Sequence, residues 1–283
     1  MKETWKEWAL AFLLAWVVPW LAVSLLAPVG VQQAEVTETT QSPEAPEVIR
    51  VIRDGAAGEM ALEEYLVGVL LAELPREFAM EAKMAQAVVA RTYALAAVER
   101  GNKHPGAVCT ESGCCQGWTD PGEYWAEDGV ASARAAVEAT AGLVLTYEGN
   151  LIEATYFSSS GGRTEAAVAV WGSDLPYLQS VESPGEENTA HYREETAISR
   201  EEFLEKLGLS EPLTLGAVTY TEGGGVDTMV ICGKSFRGTQ LRTLLGLRST
   251  AFQLIPEPDR IRIQTAGYGH RVGMSQYGAQ AMA

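Results

Sequence analysis

The stretch LEEYLVGVLLAELPREF (62–78), with EAKMAQAVVARTYAL (81–95) close behind it, decides how the chain reads. Leu62, Tyr65, Leu66, Val69 and Leu70 recur at helical spacing, which predicts a helix over 62–74 with one apolar stripe, ended by Pro75. Glu73 comes four residues after Val69 and seven after Leu66, so its carboxyl lies on that stripe in the last helical turn. Desolvation and the negative end of the helix dipole both disfavour its charged form, leaving an acid able to protonate a leaving group near neutral pH. On spacing alone, the readier reading is a glutamate that reaches out to water or pairs with a cation. The next helix, expected over 77–100 with Gly101-Asn102 as its stop, is apolar on all faces from Met84 to Val98 except at Gln86, Arg91, Thr92 and the Tyr93 hydroxyl. Such a helix is buried, and a buried arginine needs a carboxylate. Arg91 is then a structural tie or part of a site, and direct pairing with Glu73 would lower the glutamate pKa and weaken it as an acid.

Working outward, 48–53 is β-rich and a further helix is expected at 129–140. Segments 143–146 and 151–157 form a hairpin around Glu148-Gly149-Asn150. Ser199 with Glu202 opens a helix to about Leu207. Strands are expected at 213–220 and 226–232, a short helix at 238–246, and strands at 251–255 and 260–265. The order lacks regular β-α-β alternation, so the expected class is α+β: a mixed sheet with a long buried helix, in one lobe or two.

Upstream, WALAFLLAWVVPWLAVSLLAPVGV (8–31) contains no charged residue and is long enough to cross a bilayer as a helix. Lys2 and Lys6 precede it, which places 1–7 in the cytoplasm and the remainder outside. A cleaved signal peptide would have a shorter apolar region and an A-x-A-like site, and would also export the rest of the chain. Residues 32–47, QQAEVTETTQSPEAPE, have the composition of an acidic linker to a folded domain at 48–283. The expectation is therefore a single-pass protein of the cell membrane with an extracytoplasmic domain. A formal charge of -16, from 37 acidic and 21 basic residues, argues against nucleic acid and anionic head groups as partners. A neutral glycan is compatible with it.

Cys109, Cys114 and Cys115 cluster near His104 in KHPGAVCTESGCCQGW (103–118), while Cys232 lies apart in a strand-like segment and reads as core. Thiolates and imidazole are the usual zinc ligands, in sets of four. A local disulfide from Cys109 to Cys114 or Cys115 is the competing reading in an oxidising compartment. Two glycine-rich segments remain, SSSGGRT (158–164) and GYGHRVGMSQYGAQ (267–280). Glycines there would let backbone approach a ligand, although neither has phosphate-loop spacing.

Glu73-Leu74-Pro75, Ala85-Gln86-Ala87, Ala90-Arg91-Thr92-Tyr93, Cys115-Gln116, the Ser-x-Ser-Gly-Gly segment and the Gly-His…Gly-Met-Ser-Gln-Tyr-Gly segment occur in the order seen in the stage II sporulation protein D family, which the chain resembles. The resemblance runs over about 48–283. Arg271 stands where the family often has glycine, and Cys114 where it often has histidine. Members continue with one more helix beyond the last of these segments, so the resemblance implies truncation at Ala283.

The resemblance implies a lytic transglycosylase that cleaves bonds between N-acetylmuramic acid and N-acetylglucosamine in peptidoglycan strands stripped of stem peptides, during engulfment of the forespore. Glu73 would be the acid/base. Arg91 and Gln86 would belong to the substrate site, with Ser158, Ser160, His270, Ser275, Gln276 and Tyr277 as sugar contacts. Cys109, Cys115, His104 and Cys114 would hold zinc. Stage II sporulation protein P, an amidase or endopeptidase, and the membrane protein stage II sporulation protein M are the implied partners. Two alternatives are a non-catalytic enhancer of a cell-wall amidase and a zinc-dependent hydrolase.

Overall fold

The computed structural model describes residues 46–101 and 103–283; the apolar run 8–31 and most of the linker lie outside the described residues. Among these no helix is long and apolar enough to cross a membrane. The class is α+β. In place of a single mixed sheet there are three three-stranded sheets and two short strand pairs. Several strands carry only two ladder residues.

The first sheet holds β1 (Val48–Arg53), β2 (Ala56–Ala61) and β3 (Val108–Cys109), in the order β2-β1-β3. β2 pairs antiparallel with β1 through the Asp54-Gly55 turn, and β3 pairs parallel with it. Three helices cover this end: α1 (Leu62–Glu73), α2 (Met80–Arg100) and α3 (Glu127–Ala139). α1 is buried on nearly every side, from Tyr65 to Leu71, and α2 ends on a left-handed Gly101. Ile49, Val51, Leu66, Val69, Ala87, Ala94, Val108, Ala136 and Val144 belong to the first hydrophobic core.

A loop-rich middle comes next. β4 (Thr146–Tyr147) and β5 (Asn150–Leu151) make a tight hairpin, and β6 (Tyr156–Phe157) pairs in parallel with the late β13 (Met274–Ser275). The short α4 (Ala167–Trp171) stands between them in sequence. β7 (Arg193–Ser199) leads into α5 (Arg200–Leu207), where the Ser199 hydroxyl accepts from the Glu202 N–H, as the capping pattern required. β8 (Leu215–Tyr220), β9 (Val226–Ile231) and β10 (Lys234–Arg237) form the second sheet, with α6 (Gly238–Leu245) after it. β11 (Phe252–Pro256), β12 (Arg260–Ala266) and β7 form the third. Phe203, Leu204, Ile231, Leu241, Phe252, Ile261 and Ile263 make a separate second core. Two cores are thus present, and α7 (Gln276–Met282) returns from the second to lie on α2. Cys232 is not in a strand. It is half-buried in the turn between β9 and β10, with φ of 49°.

Arg91 resolves as the tie of the first core and does not pair with Glu73. Fully buried, it donates to Glu63 through Nε at 3.0 Å and Nη2 at 2.6 Å, and to the carbonyls of Leu143 and Val137 at 3.2 Å. The guanidinium thereby joins α1, α2 and the end of α3, with four hydrogen bonds from its five N–H donors. Breaking such a pair from the glutamate side leaves a buried charge without a partner. Because Glu63 is itself part-exposed and Arg91 keeps two carbonyl acceptors, Glu63→Ala is expected to destabilise the fold by about 1–3 kcal/mol, read from urea unfolding; a loss below about 1 kcal/mol would contradict this account of Arg91.

Candidate active site

α1 ends at Glu73 because Pro75 cannot continue it, and Leu74 already has extended backbone. The half-buried carboxyl faces an open groove of about 790 Å³. Groove residues come from distant parts of the chain: Tyr93 from α2, Cys114 and Cys115 from the cysteine loop, Tyr156 and Ser158 around β6, Trp171 at the end of α4, and Tyr268, His270 and Gln276 near the C-terminal end. The N–H of Gly117 donates to Glu73 Oε1 at 2.7 Å. A Cβ at position 117 would stand 3.0 Å from that oxygen, so only glycine brings this donor in without crowding. Burial raises the Glu73 pKa, while the Gly117 N–H and then the Gln276 amide and Tyr156 hydroxyl act in the opposite sense. Burial dominates, against the readier reading from spacing alone that the carboxyl reaches water or pairs with a cation. Gln276 Nε2 is enclosed without a hydrogen bond of ordinary geometry.

Gln116, next to that glycine, is buried and links three elements. It accepts from the Tyr65 hydroxyl at 3.2 Å and donates to the Tyr156 hydroxyl at 3.2 Å and to the Ala90 carbonyl at 3.4 Å. Sequence spacing marks Tyr156 only as strand, yet it belongs to the site. Its burial pushes the phenol pKa well above its ordinary value, so it stays protonated beside Glu73.

The ligand atoms of His104, Cys109, Cys114 and Cys115 all lie within 4.8 Å of one another. Cys109 is fixed by β3 on the sheet, and the N–H groups of Cys114 and Cys115 both donate to the Glu111 carbonyl at 2.9 Å, turning both thiols back toward it. His104 Nε2 approaches Cys114 Sγ at 3.3 Å. All four cysteines are unbridged. Burial pushes the Cys115 thiol up to about 12, and Cys109 is held below its ordinary value despite burial by the Glu111 N–H and the facing thiols. Three sulfurs and one imidazole at this spacing could hold a tetrahedral metal ion.

The glycine-rich segments divide. His270 lines the groove between Phe157 and Trp171, with ring centroids 5.7 and 5.1 Å away, and burial lowers its pKa to about 4, so the ring is neutral. Its Nδ1 accepts from the Val272 N–H at 3.1 Å, which assigns the proton to Nε2. Ser158 and Gln276 also line the groove. Ser160 and Ser275 do not. They are buried with Ser159 and Ser183 around Glu186, donating to its carboxylate at 2.6, 2.9, 2.7 and 2.7 Å. Gln86, wholly buried, and Arg91 also lie off the groove lining. Tyr277 is a strut, edge-on to Phe78 at 5.1 Å and packed with Leu74 and Ala82. Gly161 and Gly267 serve each other's backbone and no ligand: a Cβ on Gly161 would come 2.7 Å from the Gly267 nitrogen. Arg271 donates at 3.3 Å to Glu165, and both are buried.

A carboxyl whose pKa is raised by burial, beside an open groove lined by aromatic and amide groups, has the features of a general-acid candidate. The family model described as "Stage II sporulation protein" matches residues 54–147, the span that carries Glu73, α2 and the cysteine cluster. Stage II sporulation protein D of Bacillus amyloliquefaciens is 40% identical over 234 residues, covering 78% of this chain and 68% of its own length. Its counterpart from Bacillus subtilis (strain 168) is 39% identical, with the same coverage. The protein named amidase enhancer in Bacillus subtilis is 28% identical over 77% of this chain and 37% of its own length. The chain belongs to the stage II sporulation protein D family.

The raised Glu73 pKa has a consequence for stability. Its favourable contribution is complete below the unfolded value of about 4.3 and is lost as pH rises through the higher folded value. Glu73→Gln keeps an acceptor for Gly117 and removes the buried charge. It should raise Tm near neutral pH, the gain vanishing in calorimetric scans toward about pH 4; a constant offset at all pH would show that the carboxyl is not raised.

Proposed function

We propose that the protein is a peptidoglycan lytic transglycosylase, with Glu73 as its single acid/base. The observation that carries this reading is the raised pKa of a carboxyl set at the floor of an open, glycan-sized groove. Protonated Glu73 gives its proton to the oxygen between N-acetylmuramic acid and N-acetylglucosamine. The bond to the muramic C1 breaks, and the carboxylate, now stabilised by the Gly117 N–H, takes the proton of the muramic C6 hydroxyl as that oxygen closes on C1. Proton and electron pairs balance, with no water consumed. Trp171 and Tyr268, 43% and 41% exposed, offer faces for sugar rings, and Ser158 and Gln276 supply polar contacts.

Glu153 is another groove carboxyl. It is exposed and lies 3.8 Å from Arg100, and a two-carboxyl hydrolase would have to use it as the water-activating base. The Cys/His set fits zinc by donor chemistry, and four protein ligands would close its coordination sphere, so the ion would hold the loop that delivers Gln116 and Gly117. Residues 8–31 as a membrane anchor, an amidase or endopeptidase partner acting before this enzyme, and a role in forespore engulfment complete the proposal. The relative named amidase enhancer motivates the competing reading of a domain that binds glycan and stimulates an amidase without cleaving.

Three measurements decide. On peptide-free glycan strands, Glu73→Gln should lose at least about 100-fold in kcat while its melting transition stays cooperative; undiminished cleavage would remove Glu73 from catalysis. Mass spectrometry of the parent's products should show 1,6-anhydromuramic ends, whereas products heavier by one water would establish hydrolysis. Metal analysis should find one zinc per chain, lost in Cys109→Ser; a Cys109–Cys115 bridge in peptide maps would replace the metal with a disulfide.

A further inference from the structure

A second groove of about 780 Å³, nearly the size of the one at Glu73, opens on the third sheet. Burial alternates along β12: Ile261, Ile263 and Thr265 face inward, and Gln264 faces out. Register places Gln264 opposite Glu195 on β7 and opposite Gln253 on β11, so two amides and a carboxylate form a row across three strands on one face. The row is ordered. Gln264 Nε2 donates to Glu195 Oε2 at 2.8 Å, and Arg262 reaches the same oxygen at 3.3 Å. Tyr220, at the end of β8, lines the same groove and is 58% exposed. Arg193 also lines it, and Glu194 is paired with Arg248 at 2.7 Å, so local charges balance within a chain whose formal charge is -16.

A solvated sheet face needs only scattered polar side chains. Here the polar row is flat, carries amide donors and acceptors, and borders a concave space with an exposed aromatic ring. That combination suits an uncharged, hydroxyl- and acetamido-bearing ring, whose edge takes hydrogen bonds and whose C–H face lies on an aromatic surface. One segment contributes to both grooves: Thr265 and Ala266 line the one, and Tyr268 and Gly269 line the other.

We infer that the Tyr220–Gln253–Gln264 groove is a second glycan-binding site, which holds a strand at a distance from the bond being cleaved. This rests on the reading of the Glu73 groove as a glycan site. Two linked sites on one polymer raise affinity through effective concentration, and a short fragment that spans only one gains nothing.

The test uses the full chain carrying Glu73→Gln, so that bound glycan persists. Its affinity is measured for long peptide-free strands by co-sedimentation, and for short fragments of the same strands by calorimetry. Adding Tyr220→Ala and Gln253→Ala should weaken long-strand binding about tenfold or more, leave short-fragment binding unchanged, and leave Tm unchanged. Tyr220→Trp in place of Tyr220→Ala should preserve long-strand affinity. Unaltered long-strand affinity, or an equal loss on short fragments, would overturn the second site while leaving the Glu73 site standing. Failure of the Glu73→Gln parent to bind any glycan would instead remove the reading of the Glu73 groove, and this inference with it.

Discussion

A glutamate proposed first to give a proton and then to take one needs surroundings in which neither form is overwhelmingly preferred. At Glu73 burial favours the acid, and the 2.7 Å hydrogen bond from the Gly117 N–H favours the carboxylate. The rest of the architecture serves this balance. α1 carries the carboxyl to the edge of the first core and Pro75 stops it there. The cysteine loop is pinned at one end by β3 on the first sheet and folded back on itself by the Glu111 carbonyl, so that Gln116 and Gly117 arrive at a fixed height. Gln116 then ties the loop to Tyr65 on α1, to α2, and to Tyr156 on β6. A metal at the cluster would act on the acid through this loop. Its four donors would all be protein atoms.

The far wall is organised by buried carboxylates. Glu186 accepts from four serine hydroxyls and from the Ser160 N–H at 2.9 Å. Those serines come from the segment after β6, from the 183 loop and from the N-cap of α7, so one carboxylate gathers three separate segments. Glu165 does similar work nearby, accepting from Arg271 at 3.3 Å and from Thr221 and the Gly225 N–H at 2.9 Å. Isolated burial of either charge would be prohibitive; multiple donors make it tolerable and demand one arrangement of the loops. Ser159 and Ser160 of one glycine-rich segment, and Arg271 and Ser275 of the other, are spent on this framework.

That division explains which features are legible in the sequence. The α1–α2 pair, its stops and the position of Glu73 come from local spacing, and helices formed by a 3.6-residue period report themselves. The Cys/His set is also local: its members lie between 104 and 115. The sheets are harder. β2 is alanine- and glycine-rich without alternation, β7 is mostly polar because its partner strand supplies the apolar face, and β6 and β13 are two-residue strands joined across more than a hundred positions. No window of sequence contains such a pairing. For the same reason nothing local marks Tyr156 and Gly117 as members of the site, and nothing near Ser160 and Ser275 announces that Glu186 claims both hydroxyls. Arg91 is readable as needing a carboxylate, but choosing between Glu63 and Glu73 depends on which side of α1 faces α2.

The asymmetry of the groove's carboxyls bears on the chemistry. A two-carboxyl hydrolase needs a second carboxyl held opposite the first across the scissile bond, with room for a water. Here Glu73 is shielded, while Glu153 is open to solvent and beside Arg100. A reaction served by one shielded carboxyl needs its nucleophile to arrive with the substrate, already close to the carbon it attacks. A hydroxyl on the same sugar ring meets that requirement, because an intramolecular nucleophile enjoys an effective concentration far above that of any bound water. On the proposed reading, a single raised glutamate and an intramolecular ring closure are thus two sides of one constraint.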